Sequence, residues 1–290
     1  MIATLQRLYK ISRPRFWMYS FGPLLIWLIA GYIYTEIVPS DMLYIYIGIV
    51  VIYTLIWSNI IIYGVNDLAD EDTDALNEKK DAYEHRLHAS ERHSLIKSIQ
   101  MCIFLGLVVL VWWWYSIYGD VDIYILLWAY VLFLFTGIWY SIEPIRAKSK
   151  PFIDGIFNLL YIVPSIRWWM IITWWWEGYN LYAMLAWRLW AMSMHAYSAI
   201  PDIEPDQQVW LQTTAVVLWY RWTLLYCLSL RFFAAAIAVR QFWYIYIVLL
   251  APYIMMIYLS RSGNIMKWYR YFPWINAFVG FCLFWMIVLL

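Results

Sequence analysis

Tyr63-Gly64-Val65-Asn66-Asp67-Leu68-Ala69-Asp70-Glu71-Asp72-Thr73-Asp74 ends a long apolar run, and its last nine residues carry four aspartates and a glutamate. Asp67, Asp70 and Asp74 are spaced i, i+3, i+7, which on a helix places them within about 60° of one another. Carboxylates crowded on one face repel unless a cation sits among them. Hard divalent ions such as Mg²⁺ take oxygen ligands, commonly one or two carboxylates together with substrate phosphates. A solvated acidic helix end is the plainer alternative, and the rest of the chain bears on the choice between them.

Of the 290 residues 65% are hydrophobic and only 13% charged, with a mean hydropathy of +0.63. Soluble domains are nearer one quarter charged, so the composition predicts an all-α, polytopic membrane protein. The 22 tryptophans and 26 tyrosines fit interfacial belts in part. Runs such as Trp112-Trp113-Trp114 and Trp174-Trp175-Trp176 go beyond a belt and point to a diverged or redesigned sequence. A net charge of +1 and the lack of any basic domain leave no place for nucleic acid. Cys102, Cys227 and Cys282 lie far apart in apolar segments, which suggests neither a disulfide framework nor a metal site. Arg7, Lys10, Arg13 and Arg15 precede the first apolar run without a small-residue cleavage site, so that run is expected to be a spanning helix.

Spanning helices need about 20 apolar residues. The sequence offers about nine, near 16–35, 42–65, 94–118, 123–142, 153–176, 179–200, 213–236, 241–260 and 269–289, within a single domain over 1–290. Fifteen of the 20 lysines and arginines fall in the N-terminal arm and the even-numbered connections. By the positive-inside rule the N-terminus is then cytoplasmic and the C-terminus outside. The acidic stretch and Asp202-Ile203-Glu204-Pro205-Asp206 fall on that same cytoplasmic side.

Asp202 and Asp206 are spaced i, i+4, but Pro205 is tolerated best in a first turn. Asp202 is therefore expected on an extended segment and Asp206 at the start of the seventh helix. If the bundle joins the two acidic clusters, they can hold Mg²⁺ ions around a diphosphate. Arg146 and Lys148, in the connection after Tyr140, are the cations chosen to meet that diphosphate, through bidentate and point-charge contacts respectively. Ordinary topology charge is the alternative reading for both.

Three motifs then combine: Asn-Asp-x-x-Asp-x-x-x-Asp at 66–74, Tyr-Ser-x-x-Pro-x-Arg-x-Lys at 140–148, and Asp-x-x-x-Asp at 202–206. Their order, their common side and the nine-helix count resemble the UbiA superfamily of intramembrane prenyltransferases over nearly the whole chain. The resemblance implies that Asn66, Asp67, Asp70, Asp74, Asp202 and Asp206 bind Mg²⁺ and an isoprenyl diphosphate. It implies that Arg146 and Lys148 neutralise the leaving group. The donor would be dimethylallyl diphosphate or a longer homologue, and the acceptor a lipophilic molecule drawn from the membrane lipid.

Ser198 to Asp206, followed by Thr213-Thr214-Ala215, looks like the carotenoid branch, whose lycopene elongases add C5 units to a C40 polyene. An aromatic, quinone or glycerol-phosphate lipid acceptor, a transporter, and a non-catalytic redesigned scaffold remain the other readings. The chain departs from the family pattern at Glu78, at Glu143, and at Gln207, Gln208, Val209 and Trp210, where a basic residue and then a glycine are usual. Tyr63, Tyr140 and Tyr197 precede the three motifs and are candidates for a wall that shields a prenyl cation, although in a chain with 21% aromatic residues packing is the plainer reading of each. Asp154 is a candidate for substrate binding or proton removal, or else a plain helix N-terminal acid. Arg167, Arg188 and Arg221 fall inside expected spans. The connection over 66–93, with His85, His88 and His93, is expected to be a cytoplasmic cap over the site.

Overall fold

The computed structural model describes residues 2–22, 24–25, 41–70, 74, 86–117, 123–157, 181–241 and 244–289. Every regular element among them is helical. The described residues form two compact units, one up to Arg146 and the other from Ala147 onward.

In the first unit, α1 (Ile2–Ile11) leads through a short 3-10 turn at Pro14–Phe16 into helical residues 17–22. Next come α2 (Asp41–Ile52), a π-helical turn at Tyr53–Trp57, and α3 (Ser58–Ala69), which run on as one rod. A single turn of π-helix carries one extra residue and loosens the i→i−4 ladder. The carbonyls at this point take side-chain donors instead. Thr54 C=O accepts from Ser58 Oγ at 2.6 Å, Asn59 Nδ2 at 3.1 Å and Ser20 Oγ at 3.3 Å. Leu55 C=O accepts from Asn59 Nδ2 at 2.8 Å.

α4 (Arg92–Ile117) and α5 (Ile123–Ser141) pack against α3. Small residues set how closely these helices approach, as is usual in membranes. Gly64 faces Ile99 and Leu95, and a Cβ on Gly106 would run into the Tyr53 and Tyr130 hydroxyls. Those two hydroxyls bond at 3.2 Å, and Tyr130 also donates to Ile103 C=O at 2.7 Å.

In the second unit, α6 (Ile153–Ile156) is one short turn, and α7 (Leu181–Ser198) pairs along its length with α9 (Thr214–Gln241). Between them lie a 3-10 turn at Ile200–Asp202 and α8 (Ile203–Gln208). A 3-10 segment at Tyr244–Leu250, α10 (Ala251–Ser260) and α11 (Ile265–Leu289) complete it. α9 is broken at Trp219, whose φ 59 and ψ 173 are not helical. Thr223 Oγ1 donates to Trp219 C=O at 2.7 Å beside the break.

Among the described residues, three stretches are long and apolar enough to cross a membrane: Ile47–Ala69, Ala89–Trp112 and Thr214–Val239. Leu127–Trp139 and Ile247–Ser260 are shorter apolar helices. The protein is therefore an all-α membrane protein. Most of the expected first span, and all of the fifth beyond Phe157, lie outside the described residues. The expected start of the eighth span is 3-10 rather than α-helix up to Leu250.

Candidate active site

The acidic stretch sits where α3 ends. Asp70 is its C-cap, with φ −109 and ψ 16, and donates its backbone N–H to Asn66 C=O at 3.0 Å. Asp74 N–H in turn bonds Asp70 C=O at 2.8 Å. Backbone turns thus link Asn66, Asp70 and Asp74 at i, i+4, i+8, although α3 itself stops at Ala69. Ser141 Oγ, at the end of α5, lies 3.1 Å from Asn66 Oδ1 and orients the amide. Arg86 Nη2 donates to Asp74 C=O at 3.2 Å, and the Asp74 side chain is buried.

Asp67 points elsewhere. Its carboxylate, 1% exposed, meets Arg13 Nη2 at 2.7 Å. The Arg13 guanidinium also lies 4.5 Å over the ring of Tyr63, which is beside Phe16 at 6.1 Å. Tyr63, a candidate for the cation-shielding wall, therefore carries an arginine. Arg146 adopts φ 38, with its Nη1 3.8 Å from Glu143 Oε1. Tyr140 is half-buried at the end of α5. Most of the expected cap lies outside the described residues. The part that is described has His88 N–H bonded to Glu91 Oε2 at 3.3 Å, and Arg7 bonded to Ser94 Oγ at 2.6 Å.

In the second unit, Asp202 closes the 3-10 turn with φ −93 and ψ −4, which corrects the extended segment expected for it. Asp206 lies in α8, a helix separate from α9, and not at the start of the seventh span. The reason is local: Pro205 fits the first turn of a short helix, and the chain must turn again through Val209 and Trp210 before Thr213 and Thr214 start α9. Thr213 Oγ1 joins the two helices, 3.5 Å from Asp206 Oδ2 and accepting from Val216 N–H at 3.2 Å. Lys148 is buried in the 3-10 turn Ala147–Ser149.

Asp154 is a structural pin. Its Oδ1 accepts from Thr214 Oγ1 at 2.5 Å and Gly155 N–H at 2.7 Å, and its Oδ2 from Thr214 N–H at 2.8 Å. His195 Nε2 stands 3.9 Å from the same carboxylate. Tyr197 is buried, with its hydroxyl 2.8 Å from Ser260 Oγ and its ring 4.7 Å from Phe272. Among the arginines of the expected spans, Arg188 is half-buried, Arg221 is exposed, and Arg167 lies outside the described residues. Arg231 is the buried one. Its guanidinium stacks 3.5 Å from the Tyr253 ring, whose hydroxyl accepts from Trp190 Nε1 and donates to Asn276 Oδ1.

Trp210 occupies the turn between α8 and α9 with φ 59 and is 87% exposed. That left-handed backbone costs a non-glycine residue about 1–2 kcal/mol, and glycine gives back about 0.5–1 kcal/mol through chain entropy. Trp210→Gly is expected to raise the melting temperature by about 2 °C, read by scanning fluorimetry. A lower melting temperature would contradict the strain.

Magnesium suits the donors at the end of α3, because the Asn66 amide oxygen and the Asp67, Asp70 and Asp74 carboxylates are hard oxygens. Among the described residues, no three His, Cys, Asp or Glu side chains are gathered closely enough to form a metal cage. Mg²⁺ rarely uses one, completing its shell with water and phosphate oxygens.

Helices of spanning length whose polar ends carry buried, hydrogen-bonded acids define an integral membrane protein with its polar chemistry at the helix ends. Three curated relatives align with nearly the whole chain rather than a fragment of it. The lycopene elongase/hydratase of Haloarcula japonica is 33% identical, covering 94% of this chain and 88% of its own. That of Halobacterium salinarum is 32% identical, covering 94% of each, and that of Haloferax volcanii 29% identical, covering 93% and 84%. The chain belongs to the lycopene elongase/hydratase family, a family of enzymes. No family model and no solved structure matches it.

Proposed function

We propose that the protein is a Mg²⁺-dependent intramembrane prenyltransferase acting on a carotenoid acceptor such as lycopene. The kinship with lycopene elongases along almost the full chain carries this reading. In the reaction the C–O bond of an allylic isoprenyl diphosphate breaks and diphosphate leaves. The allylic carbon then bonds to a terminal double bond of the polyene, and the resulting cation loses a proton. Magnesium, when bound, neutralises charge developing on the leaving oxygens.

The protein's own groups hold and shield. Asn66, Asp70 and Asp74 are linked by backbone hydrogen bonds at the end of α3, and Ser141 bonds the amide oxygen of the first. Asp67, Asp202 and Asp206 are the further acids assigned to the metal, and Arg146 and Lys148 the cations assigned to the anion. Preorganised charge of this kind is usually the largest single contribution to such a rate. The apolar helices keep water from the cation, and both lipophilic substrates enter from the bilayer. The acid-bearing ends, like the N-terminus, face the cytoplasm in this reading.

The test is purified protein in nanodiscs with Mg²⁺, dimethylallyl diphosphate and lycopene. Release of diphosphate with formation of a polyene larger by C5, both abolished by EDTA, is expected. Neither product nor released diphosphate would reject the reading.

A further inference from the structure

Arg13 follows α1 directly. Ser12 N–H bonds Leu8 C=O at 2.9 Å and Arg13 N–H bonds Lys10 C=O at 3.0 Å, after which the chain turns at Arg13 with φ 50 and ψ 71. A left-handed arginine ahead of Pro14 is a costly conformation that surrounding contacts must hold in place. Among those contacts are the Asp67 carboxylate at 2.7 Å and the Tyr63 ring at 4.5 Å, with 54 residues separating Arg13 from Asp67 in sequence. Arg13 is itself only 10% exposed, so the pair is nearly dry. A buried carboxylate left without its guanidinium is strongly unfavourable.

Asp67 is also an acid that the proposed function assigns to Mg²⁺, and the present inference rests on that reading. Arg13 Nη2 already holds Asp67 Oδ1 at 2.7 Å, and a guanidinium that close repels a divalent cation that would take a carboxylate ligand at about 2.0–2.1 Å. We infer that Arg13 is the resident counterion of Asp67 and a positioning residue of the metal site. In the metal-free enzyme it keeps the carboxylate charge-balanced and oriented, and it releases that oxygen when a divalent cation binds. Diphosphate arriving with the cation offers the freed guanidinium a bidentate partner of matching shape. Cation and anion are thereby coupled: the metal alone must displace Arg13 at a loss, and the metal with diphosphate does not.

The test is Mn²⁺ binding, followed by electron paramagnetic resonance, to the full chain in nanodiscs with and without inorganic pyrophosphate. Arg13→Gln is expected to bind Mn²⁺ alone about tenfold more tightly than the parent, and to gain less from pyrophosphate. A merely structural role would not tighten metal binding. Equal or weaker binding of Mn²⁺ alone by the variant overturns the inference while leaving the metal-dependent function intact. If neither protein binds Mn²⁺ even with pyrophosphate, that function falls and the inference with it. Should the variant not fold, phenylglyoxal labelling of Arg13 in the parent, read by mass spectrometry, decides the matter. Labelling is expected to rise several-fold on adding Mn²⁺, and labelling indifferent to saturating Mn²⁺ overturns the inference.

Discussion

Asp70→Ala is expected to lower prenyl transfer by about 10²–10³-fold without lowering the melting temperature. Asp70 caps α3 through its backbone, whose N–H bonds Asn66 and whose C=O accepts from Asp74, and alanine keeps both bonds. Only the carboxylate is removed. A carboxylate at a helix C-terminus opposes the macrodipole by about 0.3–1 kcal/mol, so its position works against stability. With both backbone bonds kept, the variant should melt close to the parent. Product formation by chromatography and melting by scanning fluorimetry separate the two effects. A variant that retains a rate within tenfold of the parent would remove Asp70 from the site.

The opposite pattern is expected at Asp154. Asp154→Ala removes an acceptor for Thr214 N–H, Thr214 Oγ1 and Gly155 N–H inside the second unit, where the carboxylate is buried. It leaves those donors buried in α6 and at the start of α9, next to His195 on α7. Breaking a buried charged network costs about 3–5 kcal/mol. At about 2–4 °C per kcal/mol for a chain of this size, the melting temperature should fall by about 10 °C. Thr214→Val should reproduce part of the loss, because Thr214 Oγ1 also accepts from Phe152 N–H at 2.6 Å. A shift below about 3 °C in Asp154→Ala would mean that the carboxylate is not a pin.

These two aspartates show how far the sequence could be read. Hydropathy located the helices because a spanning segment announces itself over about 20 residues, and α3, α4, α5, α7 and α9 appear where apolar runs predicted them. The place of Asp70 at the end of α3 was legible because its backbone partners are local. Asp154 was ambiguous, since a helix N-terminal acid and a substrate ligand look alike until Thr214, 60 residues away, is seen bonded to it. Arg13 counted only as topology charge, for nothing local ties it to Asp67. The helical state of Asp202 was hidden by the two prolines around it, each compatible with either a turn or an extended entry. Trp219 carries no signal of its break, because tryptophan has no preference for a backbone at φ 59.

The π-helical turn at Tyr53–Trp57 acts as a gear between the two halves of the α2–α3 rod. Each residue of an α-helix turns the chain by about 100°, so a residue absorbed by the π turn sets everything after it about that far from where an unbroken α-helix of the same length would put it. Asn66, Asp67 and Asp70 owe their bearing to this offset. Deleting one residue between 53 and 57 would close the turn to plain α-helix and leave Asp67 facing Arg13, whereas forcing the full-length segment into α-helix would swing Asp67 away. The chemistry at one end of the rod is thus set by a count of residues some three turns earlier, where no charge is found.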